Sequence, residues 1–228
     1  MILSIHQPQF MPWLGYFDKI AKSDIFVVLD DTQFKKNEWQ NRNKIRTAQG
    51  SQWLTVPVMH DFGQQIMDVK INNTVDWRKK HYNSLKLNYS KAKYFDKYWG
   101  FFEKLYEENW EYLIDINMKI IHYLLSQFSI NTKLVYSSKL NVDKKATDKL
   151  IEICKQVGAD TYLSGQGGKV YLKLQKFKDR NISVIFQEFV HPHYLQAYDE
   201  FETNMAAVDL LFNHGGDGFK TLTKGDSL

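Results

Sequence analysis

Short apolar runs alternate with helix-period segments along most of the chain. Residues 2–5 form an apolar run of strand type, and the prolines at Pro8 and Pro12 block regular pairing just beyond it, so a loop must follow. From Trp13 the apolar positions Leu14, Phe17, Ile20 and Ala21 recur at helical spacing, and residues 25–29 (IFVVL) are a continuous apolar run of the length expected for a buried parallel strand. The order strand, loop, helix, strand is a β-α-β unit with a right-handed crossover. In such sheets ligands collect at the carboxyl ends of the strands.

The stretch 35–47 is polar, basic and without a clean period, which predicts a surface loop or a short helix. A strand is expected over residues 53–58. Residues 77–89, 95–108 and 112–128 carry aromatic and aliphatic side chains at helical spacing, with Trp99, Phe102, Leu105 and Tyr106 as one buried stripe. The alternation then resumes: strand at 133–137, helix at 147–157, strand at 161–164, a tight glycine turn at 165–168 and a strand at 184–189. The expected fold is therefore α/β, a Rossmann-like parallel sheet in a single domain over residues 1–228, with a helical insertion at about 77–128. The tail from Leu222 is polar and expected to fray.

Composition narrows the picture. With 228 residues and 43% hydrophobic content the chain can bury a sizeable core, and 15% aromatic content excludes a disordered tail protein. The net charge is only +4, from 30 basic and 26 acidic residues spread along the chain, which favours a local anion pocket over an extended nucleic-acid track. The lone Cys154 permits no internal disulfide and sits among Ile151, Ile153 and Val157, as a buried thiol would. A reducing compartment fits. Without a basic leader and with no run approaching ~18 apolar residues, the expectation is a cytoplasmic protein with no membrane span.

The candidate chemistry lies mainly between His6 and Arg46. His6 and Gln7 leave the first strand, Gly15 and Tyr16 stand near the turn into the helix, and Asp30 and Asp31 close the second strand with Gln33 just beyond. Successive strand side chains point to opposite faces, so only one of the two aspartates is expected to face the crevice. They suit a divalent cation held through phosphate oxygens, a general base, or simply a solvated strand end. Likewise His6 and Gln7 suit either a ligand site or bonds to loop carbonyls. Trp39, Asn41, Arg42 and Lys44 set amide and cationic donors beside an indole, as a phosphate site with a stacked base or sugar would need, or as a wet basic face would show. Gly165 and Gly168 in the SGQGGK run offer backbone N–H groups to an anion, although the spacing is that of neither a Walker loop nor a dinucleotide fingerprint, and a left-handed turn is the plainer reading.

The pattern HQPxxxPWxGYFxKIxxSDxFVxLDDxQFxKxxWQNRN over residues 6–43, with AVDLLFNHG at 207–215, resembles the WbqC-like family. The resemblance implies a role in O-antigen or related surface-polysaccharide assembly, with glycine transfer as a suggested activity. A more distant likeness, in SDIFVVLDDTQF and LIEICKQVGADTYLSGQGG, is to the nucleotidylyltransferase-like fold of pantothenate synthetases, although Gly15 and Tyr16 stand where those enzymes have a second histidine. That likeness implies adenylate chemistry, for which ATP and Mg²⁺ would be the cofactors.

Together these readings predict a transferase taking a small-molecule substrate, a nucleotide-linked sugar or an amino acid. His6 would contact an acyl or phosphate oxygen, Arg42 and Lys44 would neutralise charge, Trp39 would stack and Asp31 would orient an amine or a cation. Nucleotidyl transfer to a sugar phosphate is the alternative enzyme. A binding module using the indoles of Trp77, Trp99 and Trp110 is the non-enzymatic one.

Overall fold

The computed structural model describes residues 1–223. In chain order the elements are β1 (Ile2–His6), α1 (Leu14–Ala21), β2 (Ile25–Val28), β3 (Arg42–Thr47), β4 (Gly50–Thr55), β5 (Val58–Met59), β6 (Lys70–Ile71), α2 (Trp77–Tyr89), α3 (Phe95–Glu107) and α4 (Leu113–Gln127). They continue with β7 (Lys133–Tyr136), α5 (Ala146–Gln156), β8 (Thr161–Ser164), α6 (Gly168–Tyr171), α7 (Leu174–Lys178), β9 (Ser183–Phe186), α8 (Val208–His214) and α9 (Gly216–Thr223). Two compact units result. The first comprises Met1–Pro8, Gly15–Thr32 and Asn131–Val190; the second comprises Gln9–Leu14, Gln33–Ile130 and the chain from His191 onward.

The first unit is the expected α/β fold. Its five strands are all parallel, in the order β7-β2-β1-β8-β9. The alternation of side chains along β1 decides which helix covers which face. Leu3 and Ile5 pack with Val27 against Leu150, Ile153 and Cys154 of α5 and Phe177 of α7. The opposite face carries Ser4, whose hydroxyl bonds Ser23 at 2.7 Å just after α1, and His6, which meets the Tyr16 ring of α1 edge-on. Helices thus cover both faces, as an all-parallel sheet requires. Cys154 is fully buried, and burial pushes its thiol up to about 12, so it is a core group.

The second unit joins the β3–β4 hairpin and the small β5–β6 pair to the helices of the middle and the C-terminal end. Trp99, Phe102, Leu105 and Tyr106 form the buried stripe expected from their spacing. Phe212 of α8 packs its ring against Phe95 and Phe102. Trp77 and Trp99 are 2% and 8% exposed, so two of the three indoles of the middle are core and unavailable to a partner.

The stretch expected to be a surface loop is instead half strand. Asn41, Asn43, Ile45, Arg46 and Thr47 are buried, and polarity misleads here because the interior supplies partners for most of their polar groups. Asn41 donates to the Val56 carbonyl and accepts from the Asn37 N–H, at 3.0 and 3.1 Å. The Arg46 guanidinium donates to the carbonyls of Thr47, Gly50, Asp199 and Glu200.

The glycine turn at 165–168 also departs from expectation. It closes by a Gly168 N–H to Gly165 carbonyl bond of 2.9 Å, and left-handed glycines are found at Gly50, Gly63, Gly158 and Gly215, not here. What Gly168 supplies is space, since a Cβ there would lie 2.1 Å from the Ser164 hydroxyl. The tail expected to fray falls for the most part outside the described residues. Among those described, no helix is long and apolar enough to cross a membrane.

In the second unit Asp209 is fully buried and accepts from Tyr89, Tyr194 and Gln196 at 2.8, 2.9 and 2.9 Å. Burial pushes its carboxyl up from the usual range, and the three donors and Arg46 pull it back. Asp209→Asn keeps the shape but turns an NH₂ toward donors, so it should cost about 2–3 kcal/mol in urea unfolding. An unchanged midpoint would show that the carboxylate is not what these donors need.

Candidate functional site

The strand order reverses between β1 and β8. From β1 the chain moves outward through β2 to β7, then returns to the other side of β1 for β8 and β9. Such a switch leaves a crevice at the carboxyl ends of the two central strands, the usual ligand position in open parallel sheets. Ser4 pairs with Leu163, so His6 leaves β1 alongside the turn that begins at Gly165. His6 thus lies level with Gly165 at the carboxyl ends of the two strands.

His6 is half-buried, and its Nδ1 lies 3.0 Å from the Gln7 carbonyl. A carbonyl only accepts, so Nδ1 carries the proton and Nε2 presents a lone pair, which has no protein partner among the described residues. Burial, and then the charge of Lys19, push the imidazole down to about 3. It is neutral at any physiological pH.

Lys19 is the residue that sequence reasoning missed. It is 3% exposed, one turn along α1 from Tyr16, and its Nζ donates to the Ile5 carbonyl at 3.1 Å. Burial lowers its pKa to about 7. A lysine in an amphipathic helix reads as a solvent-facing residue, and the only cue is that KIA continues the apolar face of α1. Tyr16, also buried, has a hydroxyl with no partner, and burial followed by the nearby Tyr136 raises its pKa well above the usual tyrosine value.

Asp30 and Asp31 are engaged differently from expectation. β2 ends at Val28, so strand alternation no longer applies, and both carboxylates reach the Ser137 hydroxyl just beyond β7. Asp30 also accepts from the N–H and hydroxyl of Ser138 at 2.9 and 2.6 Å. Asp31 pairs with Lys149 of α5 at 2.7 Å, both side chains being largely buried. Gln7 donates to Thr32 at 3.1 Å, and the Gly15 carbonyl accepts from Gln187 at 2.8 Å. The last contact ties α1 to the end of β9 and leaves the glycine carbonyl occupied.

The remaining candidates belong to the second unit. Gln33 is exposed and bridges to Gln65. Trp39 and Trp53 are each 39% exposed with ring centroids 5.5 Å apart, and the Arg42 guanidinium lies 4.3 Å from the Trp53 ring. Lys44 lies 5.1 Å from the same ring. This is a cationic and aromatic surface with its own backbone support.

A family model described as the WbqC-like protein family matches residues 7–221. The chain belongs to the WbqC-like family. It is similar to a protein of Mycobacterium tuberculosis named "Uncharacterized protein Rv1507c", with 35% identity over 219 residues covering 94% of each chain. No solved structure matches it significantly. In this WbqC-like chain the matched region takes in both units, so the family pattern spans the parallel sheet and the hairpin with its helices.

The state of Lys19 has a measurable consequence. Folded, the amine titrates near 7; unfolded, near 10.5, so between these values the unfolded chain binds more protons and stability rises with pH. The rise from this group should be about 1.4 kcal/mol per pH unit in that window. Subtracting the pH dependence of Lys19→Met from that of the parent, by urea titration between pH 7.5 and 9, isolates it. Parallel curves would mean that the amine is not desolvated.

Proposed function

We propose that this WbqC-like protein is a cytoplasmic transferase of bacterial surface-polysaccharide assembly that joins an activated aminoacyl group, glycyl in the simplest case, to the amine of an amino sugar. The observation that carries the reading is the neutral His6 imidazole, with Nε2 free, at the switch point of the sheet beside a lysine of near-neutral pKa. Acyl transfer to an amine needs a base for the proton the nitrogen sheds and a donor for the oxygen that becomes negative.

In this reading the amine nitrogen attacks the acyl carbon, the C–N bond forms, and His6 Nε2 takes the departing proton. The unpartnered Tyr16 hydroxyl donates to the developing oxyanion, which would relieve the cost of about 1–3 kcal/mol carried by a buried hydroxyl without a bond. The bond to the leaving group then breaks. Lys19 governs the basicity of His6, because its charge is the second cause of the low imidazole pKa. As Lys19 loses its proton near pH 7, His6 becomes a better base.

The assay follows amide formation by mass spectrometry with glycine, ATP, Mg²⁺ and UDP- or dTDP-linked amino sugars. Glycylated sugar should appear with the parent protein, with a rate that rises through pH 7. His6→Ala should lower that rate by about 10²-fold or more. Ordinary turnover by this variant would sink the reading. Release of pyrophosphate with a new nucleotide sugar, and no amide, would identify nucleotidyl transfer instead.

A further inference from the structure

The second unit contains a cavity of about 410 Å³ lined by Trp13, Trp39, Lys44 and the segment Glu202, Thr203, Asn204 and Met205. Its volume lies within the range of small-molecule sites. We propose that it is a saccharide-binding site for a sugar ring carrying a phosphate. The proposal rests on the cavity's own residues and needs no part of the transferase reading.

The wall is assembled from three distant stretches of sequence, pinned by main-chain bonds. Phe10 N–H donates to the Trp39 carbonyl at 3.0 Å, Ala206 N–H to the Lys44 carbonyl at 2.8 Å, and Ala207 N–H to the Pro12 carbonyl at 2.8 Å. The backbone at Met11 is held in the left-handed region, with φ 44°, where the buried Asn43 amide donates to its carbonyl at 2.6 Å. Glu202 is fixed at both backbone ends by the Gln196 side chain, which accepts from its N–H and donates to its carbonyl at 2.9 Å each. Gln196 is itself held by Asp209. The site is therefore preformed.

Its chemistry is that of a sugar site. Trp39 offers an exposed indole face, and an aromatic face packs on the C–H face of a pyranose with little loss of its own freedom. The Glu202 carboxylate has neither an ion pair nor a hydrogen bond among the described residues, so its oxygens are available to two ring hydroxyls. Thr203 and Asn204 add a hydroxyl and an amide. The Lys44 ammonium likewise has no carboxylate partner there; its one contact besides the cavity is the Trp53 ring. A cation held against an indole and left without a counter-ion suits a phosphate. A carboxylate and a cation facing one cavity would repel neither end of a phosphorylated sugar, provided the hydroxyl edge meets Glu202.

The test is calorimetry and tryptophan fluorescence with a panel of hexose and hexosamine 1-phosphates, the matching free sugars, inorganic phosphate and UMP. At least one sugar phosphate should bind, at least 10-fold tighter than either the free sugar or phosphate alone. Trp39→Ala and Glu202→Gln should each weaken that binding by 10-fold or more, with circular dichroism and thermal unfolding confirming that each variant is folded. Because Trp39 is exposed, its removal should leave the fold intact. Binding of no panel member would overturn the proposal. So would equal affinity for phosphate or UMP, or sugar-phosphate affinity unchanged in both folded variants.

Discussion

A single buried carboxylate organises the second unit. Removing a carboxylate from water costs several kcal/mol unless donors replace the solvent, and Asp209 finds its donors on segments far apart in the sequence. Tyr89 brings α2, and its hydroxyl also accepts the Arg46 N–H at 2.9 Å, which brings β3. Gln196 brings the strand-free segment before α8 and passes the constraint on to Glu202. Arg46 completes the arrangement by collecting carbonyls from the hairpin turn and from residues 199 and 200. The Glu202 side of the cavity is thereby tied to the satisfaction of one charge.

The first unit uses burial in the opposite sense. Its sheet and α1 place His6 and Lys19 where burial disfavours charge, and among the described residues neither side chain has a carboxylate to pair with. The result is a neutral imidazole and an amine that titrates near pH 7, at the place where the strand order opens a crevice. Asp31 and Lys149, by contrast, are paired with each other. Two lysines of the same unit are thus separated in role by what lies within reach of their ammonium groups.

The parallel sheet and the middle helices were legible because their apolar positions follow simple periods. β1, β2, β7, β8 and α2 to α5 lie within a residue or two of where periodicity puts them. β3 was not legible: its buried positions are Asn, Arg and Thr beside a single Ile, and only the folded partners of the polar groups distinguish a buried polar strand from a loop. The site was legible in part. His6 and Trp39 carry the signal in their own chemistry, while Lys19 and Glu202 acquire theirs from desolvation or isolation, which only the folded chain supplies. Asp30 and Asp31 show the converse, a conspicuous acidic pair that the fold spends on Ser137, Ser138 and Lys149.

The same distinction separates scaffold from site within one motif. In the run Trp39 to Lys44, Asn41 and Asn43 are buried with both amide ends bonded inside the protein, so neither faces solvent. Trp39 and Lys44 keep an exposed face and an unpaired charge. A polar residue in a dense motif is a binding candidate only to the extent that folding leaves its groups unused. By that measure the groups that folding leaves unused are few: His6 Nε2 and the Tyr16 hydroxyl among those of the first unit, and the Trp39 face, the Lys44 ammonium and the Glu202 carboxylate among those of the second. Within the second unit, Asn43 and Arg46 tie down the backbone on either side of its cavity, at Met11 and at residues 199 and 200.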